Sequence, residues 1–261
     1  VVEREKDRLS FVKSKYFEIE AKCNSSDIEF IARLKSVKGN RIASAKDFDK
    51  NGNKINKDRE YVSEQECIEI VNILNTGSAK TSKIKETPRS GKPPKPLKTT
   101  SLQSSARNNL GFQPGKTMGV AQKLYQEGLI TYMRTDSIRL SEIAIKAARN
   151  YISENFTKEH LPNEPNLYGD NKNAQAAHEA IRPSGDIFTE PKELLGKYKE
   201  DSDEYKLYSL IFNITVASQM TDAKGVTKSI EIEVEDDTFG RIILGISGTT
   251  WIFGGYRDLI K

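Results

Sequence analysis

Two cysteines, two histidines and one tryptophan are all that this 261-residue chain has of those residue types. Cys23 and Cys67 stand 44 positions apart with no CxxC partner. That excludes a disulfide framework and a zinc site of ordinary spacing, and both read as reduced thiols. Long apolar runs are also missing. None approaches the roughly 20 residues of a membrane span, and the N-terminus lacks the basic and apolar regions of a signal peptide. No P-loop pattern occurs. With 36% hydrophobic and 30% charged residues and a mean hydropathy of −0.62, the chain reads as soluble with much exposed surface. It begins VVEREKDR, without Met and in mid-helix pattern, as expected of an excised piece of a longer protein.

What is present is uneven. The formal net charge is only +4, but Thr76–Arg134 holds 11 basic residues against Glu86 and Glu127, a local +9, and the remainder carries −5. A field concentrated in this way suits a polyanion; a basic linker would show the same composition. Along the chain, residues 1–13 have a helical period, while YFEIEAKC (16–23) and IEFIARLKSV (28–37) alternate like half-buried strands. In DFDKNGNKI, Asn51-Gly52 signals a hairpin turn. The EF-hand alternative fails because Lys54 and Asp58 occupy positions that want an apolar residue and a Glu. SEQECIEIVNILNTG (63–77) reads as a helix with a Ser63/Glu66 capping box, stopped by Gly77. Residues 78–98 are Pro/Gly/Lys-rich, either a linker or an extended strand.

The texture then becomes helical. TTSLQSSARNNLGF, a QPGK turn and KTMGVAQKLYQEG predict two short helices ending at Gly111 and Gly128, followed by a strand, which is a helix-turn-helix-with-wing pattern. Further helices are expected from Ser141 to about Asn155, over AQAAHEAIRPSG up to Pro183, and over DSDEYKLYSLIFNITVASQM. GVTKSIEIEVEDDTFGRIILGISG alternates like a hairpin. The fold class expected is therefore a multidomain α+β chain. A β-rich domain (15–91 and 223–261) carries an inserted helical, winged-helix-like domain (92–222), and residues 1–14 form a separate helical remnant.

The chemistry concentrates in GLITYMRTDS (128–137). If ITYMRTD is a strand, Tyr132, Arg134 and Asp136 share a face. A tyrosine attacking a phosphodiester needs a cation that favours the phenolate and a guanidinium that binds the charge gathering on phosphorus. Arg134 is placed for both, but nothing adjacent stabilises the leaving 3′-oxygen. On spacing alone Tyr132 reads as a core or rim residue, and Asp136 as a partner of Arg134 or a turn cap.

The blocks SLQSSA, LGFQPGKTMGVAQKLYQEG, GLITYMRTDS and HEAIRPS, in this order and spacing, resemble the type IA DNA topoisomerases, in particular their bacterial topoisomerase I branch. Weaker similarity runs through nearly the whole chain. The resemblance implies that Tyr132 is a nucleophile that cuts one DNA strand and becomes joined to its 5′ phosphate. It implies that Arg134 positions the scissile phosphate, and that Asp136 and His178 lie at or near the active site with Arg182 as a further contact. Without it, His178 reads as a structural histidine at a helix end. Within the basic segment, Lys116, Lys123 and Arg107 are the candidates for DNA contact. The family relaxes underwound DNA without ATP, using Mg²⁺ held by a Toprim domain, and the β-rich segments would be arches that carry the tyrosine-bearing domain. No Toprim D-x-D-x-E run is found here; DFDKNGN and DSDEYK lack the last acid and a preceding strand. The metal is thus expected outside this chain, and the missing Toprim and base domains are expected as its partners, in a monomeric protein of the bacterial cytoplasm with no membrane contact. The competing expectation is a non-catalytic winged-helix module that binds DNA with Tyr132 as a structural residue.

Overall fold

The computed structural model describes residues 2–25, 28–169 and 179–260. Two compact units emerge: Val1–Pro88 with Val226–Thr250, and Arg89–Gly225 with Trp251–Lys261. The chain passes between them inside three long strands, β5 (Lys80–Gly91), β6 (Ala223–Asp236) and β7 (Gly240–Phe253). Residues 251–261 therefore belong to the helical unit rather than to the β-rich one expected from the sequence.

The first unit opens with α1 (Val2–Leu9), which buries no residue. The helix stops short of the expected residue 13, because Val12 N–H is taken by the carbonyl of Lys50 in the following turn. Strands β1 (Glu20–Ser25), β2 (Ile28–Val37), β3 (Asn40–Ile42) and β4 (Arg59–Glu60) join the long strands in one mixed sheet. Its order is β4-β3-β2-β7-β6-β5; β1, β3 and β7 pair antiparallel with β2, and β3 and β4 pair in parallel. Ala32 and Leu34 alternate inward along β2, Val37 follows after a register shift between Leu34 and Ser36, and the three join Ile19, Ile70, Val234, Ile242 and Leu244 in one core. The Asn51-Gly52 turn forms as read: Gly52 has φ +79°, and Phe48 and Lys54 bridge across it. The Asp49 carboxylate accepts the N–H groups of Asn51 and Asn53, so it is turned onto its own loop.

Helix α2 (Glu64–Thr76) starts as its capping box predicts: Ser63 N–H donates to Glu66 (2.9 Å) and Glu66 N–H to the Ser63 hydroxyl (3.3 Å). The Ser63 backbone, Lys38 and the Ser63 hydroxyl hold the Glu66 carboxyl at about 2. Gly77 ends the helix for a reason unlike the one expected. Its φ is −78°, not left-handed, and a Cβ there would meet the Ile73 carbonyl at 2.7 Å and Val234 at 2.8 Å. Close packing requires this glycine; backbone handedness does not.

The second unit is built on α3 (Thr99–Leu110), α4 (Pro114–Gln126), α5 (Glu142–Asn155) and α6 (Asp203–Ser218). Leu102, Ala106, Ala121 and Leu124 from α3 and α4 meet Ile152 of α5 and Leu207, Ile211 and Phe212 of α6 in a fully buried cluster. Gly111 (φ +70°) and Gly128 (φ +74°) adopt the left-handed caps that close α3 and α4. Two sequence expectations fail here. The segment after α4 forms no strand ladder and, among the described residues, no two-stranded wing; it makes an isolated bridge, Ile130 to Pro183. The helix expected up to Pro183 is absent over 179–184, which is extended; residues 174–178 lie outside the described residues. The N–H groups of Ala180, Ile181 and Ser184 donate instead to the carbonyls of Arg139, Leu97 and Leu129. Long-range pairing overrides the local helical period.

Candidate active site around Tyr132

Residues 131–137 belong to no strand and bend at Met133, and side-chain hydroxyls take the place of a ladder. Thr131 N–H donates to the Arg182 carbonyl (2.9 Å), its hydroxyl donates to the Ala180 carbonyl (2.8 Å), and it accepts Arg182 N–H (3.0 Å). Thr99, the first residue of α3, donates N–H to the Thr135 carbonyl (2.9 Å), gives its hydroxyl proton to the Met133 carbonyl (2.8 Å) and accepts Thr135 N–H (2.9 Å). The Thr135 hydroxyl accepts Ser137 N–H, and the Ser137 hydroxyl accepts Arg139 N–H. Met133, Thr135 and Ser137 are thereby buried, and the intervening Tyr132, Arg134 and Asp136 are exposed. The two-residue alternation read from the sequence is present, produced by side-chain bonding and not by a sheet.

Tyr132 is 47% exposed, and its ring meets that of Tyr125 edge to face, centroids 5.3 Å apart and planes at 66°. Among the described residues, neither Arg134 nor Asp136 has an ion-pair partner, so they do not neutralise one another. Among the described residues, then, a solvent-facing phenol and a guanidinium without an ion-pair partner stand two positions apart, a pair of groups suited to an anion.

Arg182 is placed differently. It is buried, and its guanidinium grips Glu179 with two bonds (Nε to Oε1 2.8 Å, Nη2 to Oε2 2.9 Å) while Nη1 donates to the carbonyls of Pro183 (2.7 Å) and Gly185 (3.3 Å). Its fork is thus occupied inside the protein. Glu179 also accepts Ser141 N–H (2.7 Å) at the cap of α5. Burial pushes its carboxyl upward, but Arg182 and Ser141 outweigh that and hold it below the usual range. His178 lies outside the described residues.

The basic segment is partly neutralised by acids distant in sequence. Lys116 pairs with Asp203 (2.8 Å) and lies over the Phe112 ring, and Lys123 pairs with Glu204 (2.7 Å). Lys80 and Lys92 pair with Glu235 and Asp222. Among the described residues, Lys83, Lys85, Arg89, Lys95, Lys98, Arg107 and Arg134 keep no ion pair; Arg107 donates to the Gln113 side chain (3.0 Å). Sequence reasoning missed Thr99, Thr131 and Glu179, which hold the site in shape. Their signals, a Thr opening a helix and a Glu three residues before an Arg, are too common to stand out. No group of three or more His, Cys, Asp or Glu among the described residues is arranged to hold a metal.

The model of the DNA topoisomerase family matches residues 1–261, the whole chain. The chain belongs to the bacterial DNA topoisomerase I family. Within that family it is 37% identical to DNA topoisomerase 1 of Mycolicibacterium smegmatis, over 98% of this chain and 28% of the relative. It is 38% identical to the Streptomyces coelicolor DNA topoisomerase 1, over 98% of this chain and 27% of that one. The full-length topoisomerase I of Thermotoga maritima is structurally similar, with a TM-score of 0.67 at 29% identity, covering 99% of this chain and 38% of that structure. The chain therefore spans just over a quarter of the length of these curated relatives. No helix of the described residues is long and apolar enough to cross a membrane.

Proposed function

We propose that this chain is the tyrosine-bearing part of a type IA DNA topoisomerase, and that Tyr132 is the residue that cuts DNA. In this reading the Tyr132 phenolic oxygen attacks a backbone phosphorus. One P–O bond forms to tyrosine as the bond to the 3′-oxygen breaks, and the phenolic proton ends, in net, on the released 3′-hydroxyl. One phosphodiester replaces another, so no nucleotide or redox partner is needed, and the freed hydroxyl reverses the step after another strand has passed. Arg134 binds the two non-bridging oxygens as charge gathers on them. Asp136, on the same exposed side, and His178 complete the polar surround.

The α3–α4 pair serves as the helix-turn-helix-like element that faces DNA, and the β-rich unit as the arch. The single-stranded or underwound DNA substrate also meets the Toprim and base domains of a longer monomeric protein in the cytoplasm, at the nucleoid. The Mg²⁺ that the resemblance implies has no fitting donor cluster among the described residues, and the metal is assigned to those other domains. The observation that carries the reading is the exposed Tyr132 two positions from an Arg134 that has no ion-pair partner among the described residues, inside a chain matched end to end by the family.

The test is a chimera in which this chain replaces the matching segment of the Mycolicibacterium smegmatis relative. Incubated with a labelled single-stranded oligonucleotide and Mg²⁺, it should give a covalent protein–DNA adduct that disappears in Tyr132→Phe. A chimera that binds the oligonucleotide but never forms the adduct supports the non-catalytic DNA-binding module instead.

A further inference from the structure

The backbone on either side of Tyr132 is pinned, yet its side chain is not. Thr131 is bonded to the 180–182 segment, and Met133 is buried with its carbonyl taken by Thr99. The Tyr132 side chain has no hydrogen bond among the described residues. A tyrosine 47% exposed and tethered only at its backbone would exchange between staggered rotamers. What limits it is the ring of Tyr125 in the last turn of α4.

The chain is bent so that these rings must meet. Gly128, at φ +74°, reverses direction after α4; its N–H donates to the Tyr125 carbonyl, and Leu129 N–H donates to the Leu124 carbonyl, both at 2.9 Å. Glu127, at the end of the helix, is anchored by an ion pair to Lys197 (2.7 Å) and by the Tyr198 hydroxyl, so the platform carrying Tyr125 is itself fixed. Tyr125 stays 40% exposed, more than a tyrosine that serves only the core.

We propose that Tyr125 is a positioning residue for Tyr132. It is a wall that confines the nucleophile's ring to the rotamer in which its oxygen is presented to the phosphate. This inference rests on the reading of Tyr132 as nucleophile. Confinement before the substrate arrives lowers the ordering cost of the attack. An edge-to-face aromatic pair is strong enough to bias a rotamer equilibrium by roughly two- to ten-fold. The ring does this, so the Tyr125 hydroxyl is dispensable.

The experiment compares Tyr125→Phe, Tyr125→Leu and Tyr132→Phe in the chimera, measuring oligonucleotide affinity and single-turnover cleavage separately. Tyr125→Leu is expected to slow cleavage roughly three- to ten-fold at saturating DNA with affinity unchanged, and Tyr125→Phe to restore the rate. In the 261-residue chain itself, NMR of the Tyr132 ring should show the ring-current shift lost and χ1 averaged in Tyr125→Leu, and both retained in Tyr125→Phe. This readout does not depend on activity. An unchanged cleavage rate in Tyr125→Leu overturns the inference. So does a loss of affinity that accounts for the whole defect, or an equal loss in Tyr125→Phe. An adduct that survives Tyr132→Phe refutes the nucleophile assignment itself. Loss of the adduct in Tyr132→Phe, with Tyr125→Leu at full rate, refutes the positioning role alone.

Discussion

Replacing Glu179 by alanine removes the carboxylate that ties the 179–182 segment to the cap of α5. Arg182 donates to it twice and the backbone of Ser141 once. The side chain of Arg182 is 10% exposed and that of Glu179 26%, so the pair is largely shielded from water. Deleting one partner of a buried pair costs about 3–5 kcal/mol, because the remaining charge stays desolvated. Here Arg182 keeps two carbonyl acceptors and Glu179 is partly hydrated, so a loss of about 2–3 kcal/mol is expected. For a domain of this size that corresponds to a melting point about 4–12 °C lower. The same substitution frees the 179–182 segment that holds Thr131, so adduct formation should fall with stability. Circular dichroism melts and urea titrations of wild type, Glu179→Ala, Arg182→Ala and the double variant give the coupling directly. The double variant should be destabilised by clearly less than the two single losses added together. A coupling below about 0.5 kcal/mol would show that the pair is a surface contact and that Arg182 is not structurally committed.

Other outcomes follow from separate elements. Gly128→Ala meets no steric obstacle within 4 Å but must hold an L-residue at φ +74°, so it should cost about 1–2 kcal/mol in a denaturant titration. Because Glu66 is depressed to about 2, its contribution is complete above the ordinary carboxylate range and is lost as pH falls from about 4.5 toward 2. Glu66→Gln should therefore lower stability by about 1 kcal/mol at pH 7, with the difference from wild type vanishing near pH 2. Arg107→Ala should reduce the salt slope of single-stranded DNA binding by about 0.7. Lys116→Ala and Lys123→Ala should change it less, since Asp203 and Glu204 already pair with those lysines; fluorescence anisotropy across a salt series decides.

The sequence was most informative where the controlling interactions are local. The Ser63/Glu66 box, the Asn51-Gly52 turn and the caps at Gly111 and Gly128 involve bonds within a few residues, and each formed where its residues predict. The alternation of Tyr132, Arg134 and Asp136 was also legible, because buried Met133, Thr135 and Ser137 separate them. What held that segment in place was not, since its hydrogen-bond partners are Thr99 and the 180–182 backbone. The same distance effect hid the extended course of 179–184, whose Ala-rich surroundings favour a helix locally. Charge was misleading for a related reason: the excess of the 76–134 segment is real in sequence, but several of its lysines meet acids from α6 and β6. The identity of the family came from motif order, which no period or composition supplies.

The central claim is that one tyrosine of this chain becomes joined to DNA. Tryptic digestion of the trapped adduct should release the peptide Leu124–Arg134, which contains both Tyr125 and Tyr132. Tandem mass spectrometry after nuclease trimming should place a 5′-linked nucleotide on Tyr132. A nucleotide on Tyr125, on any other residue, or joined through a 3′ phosphate would contradict the account.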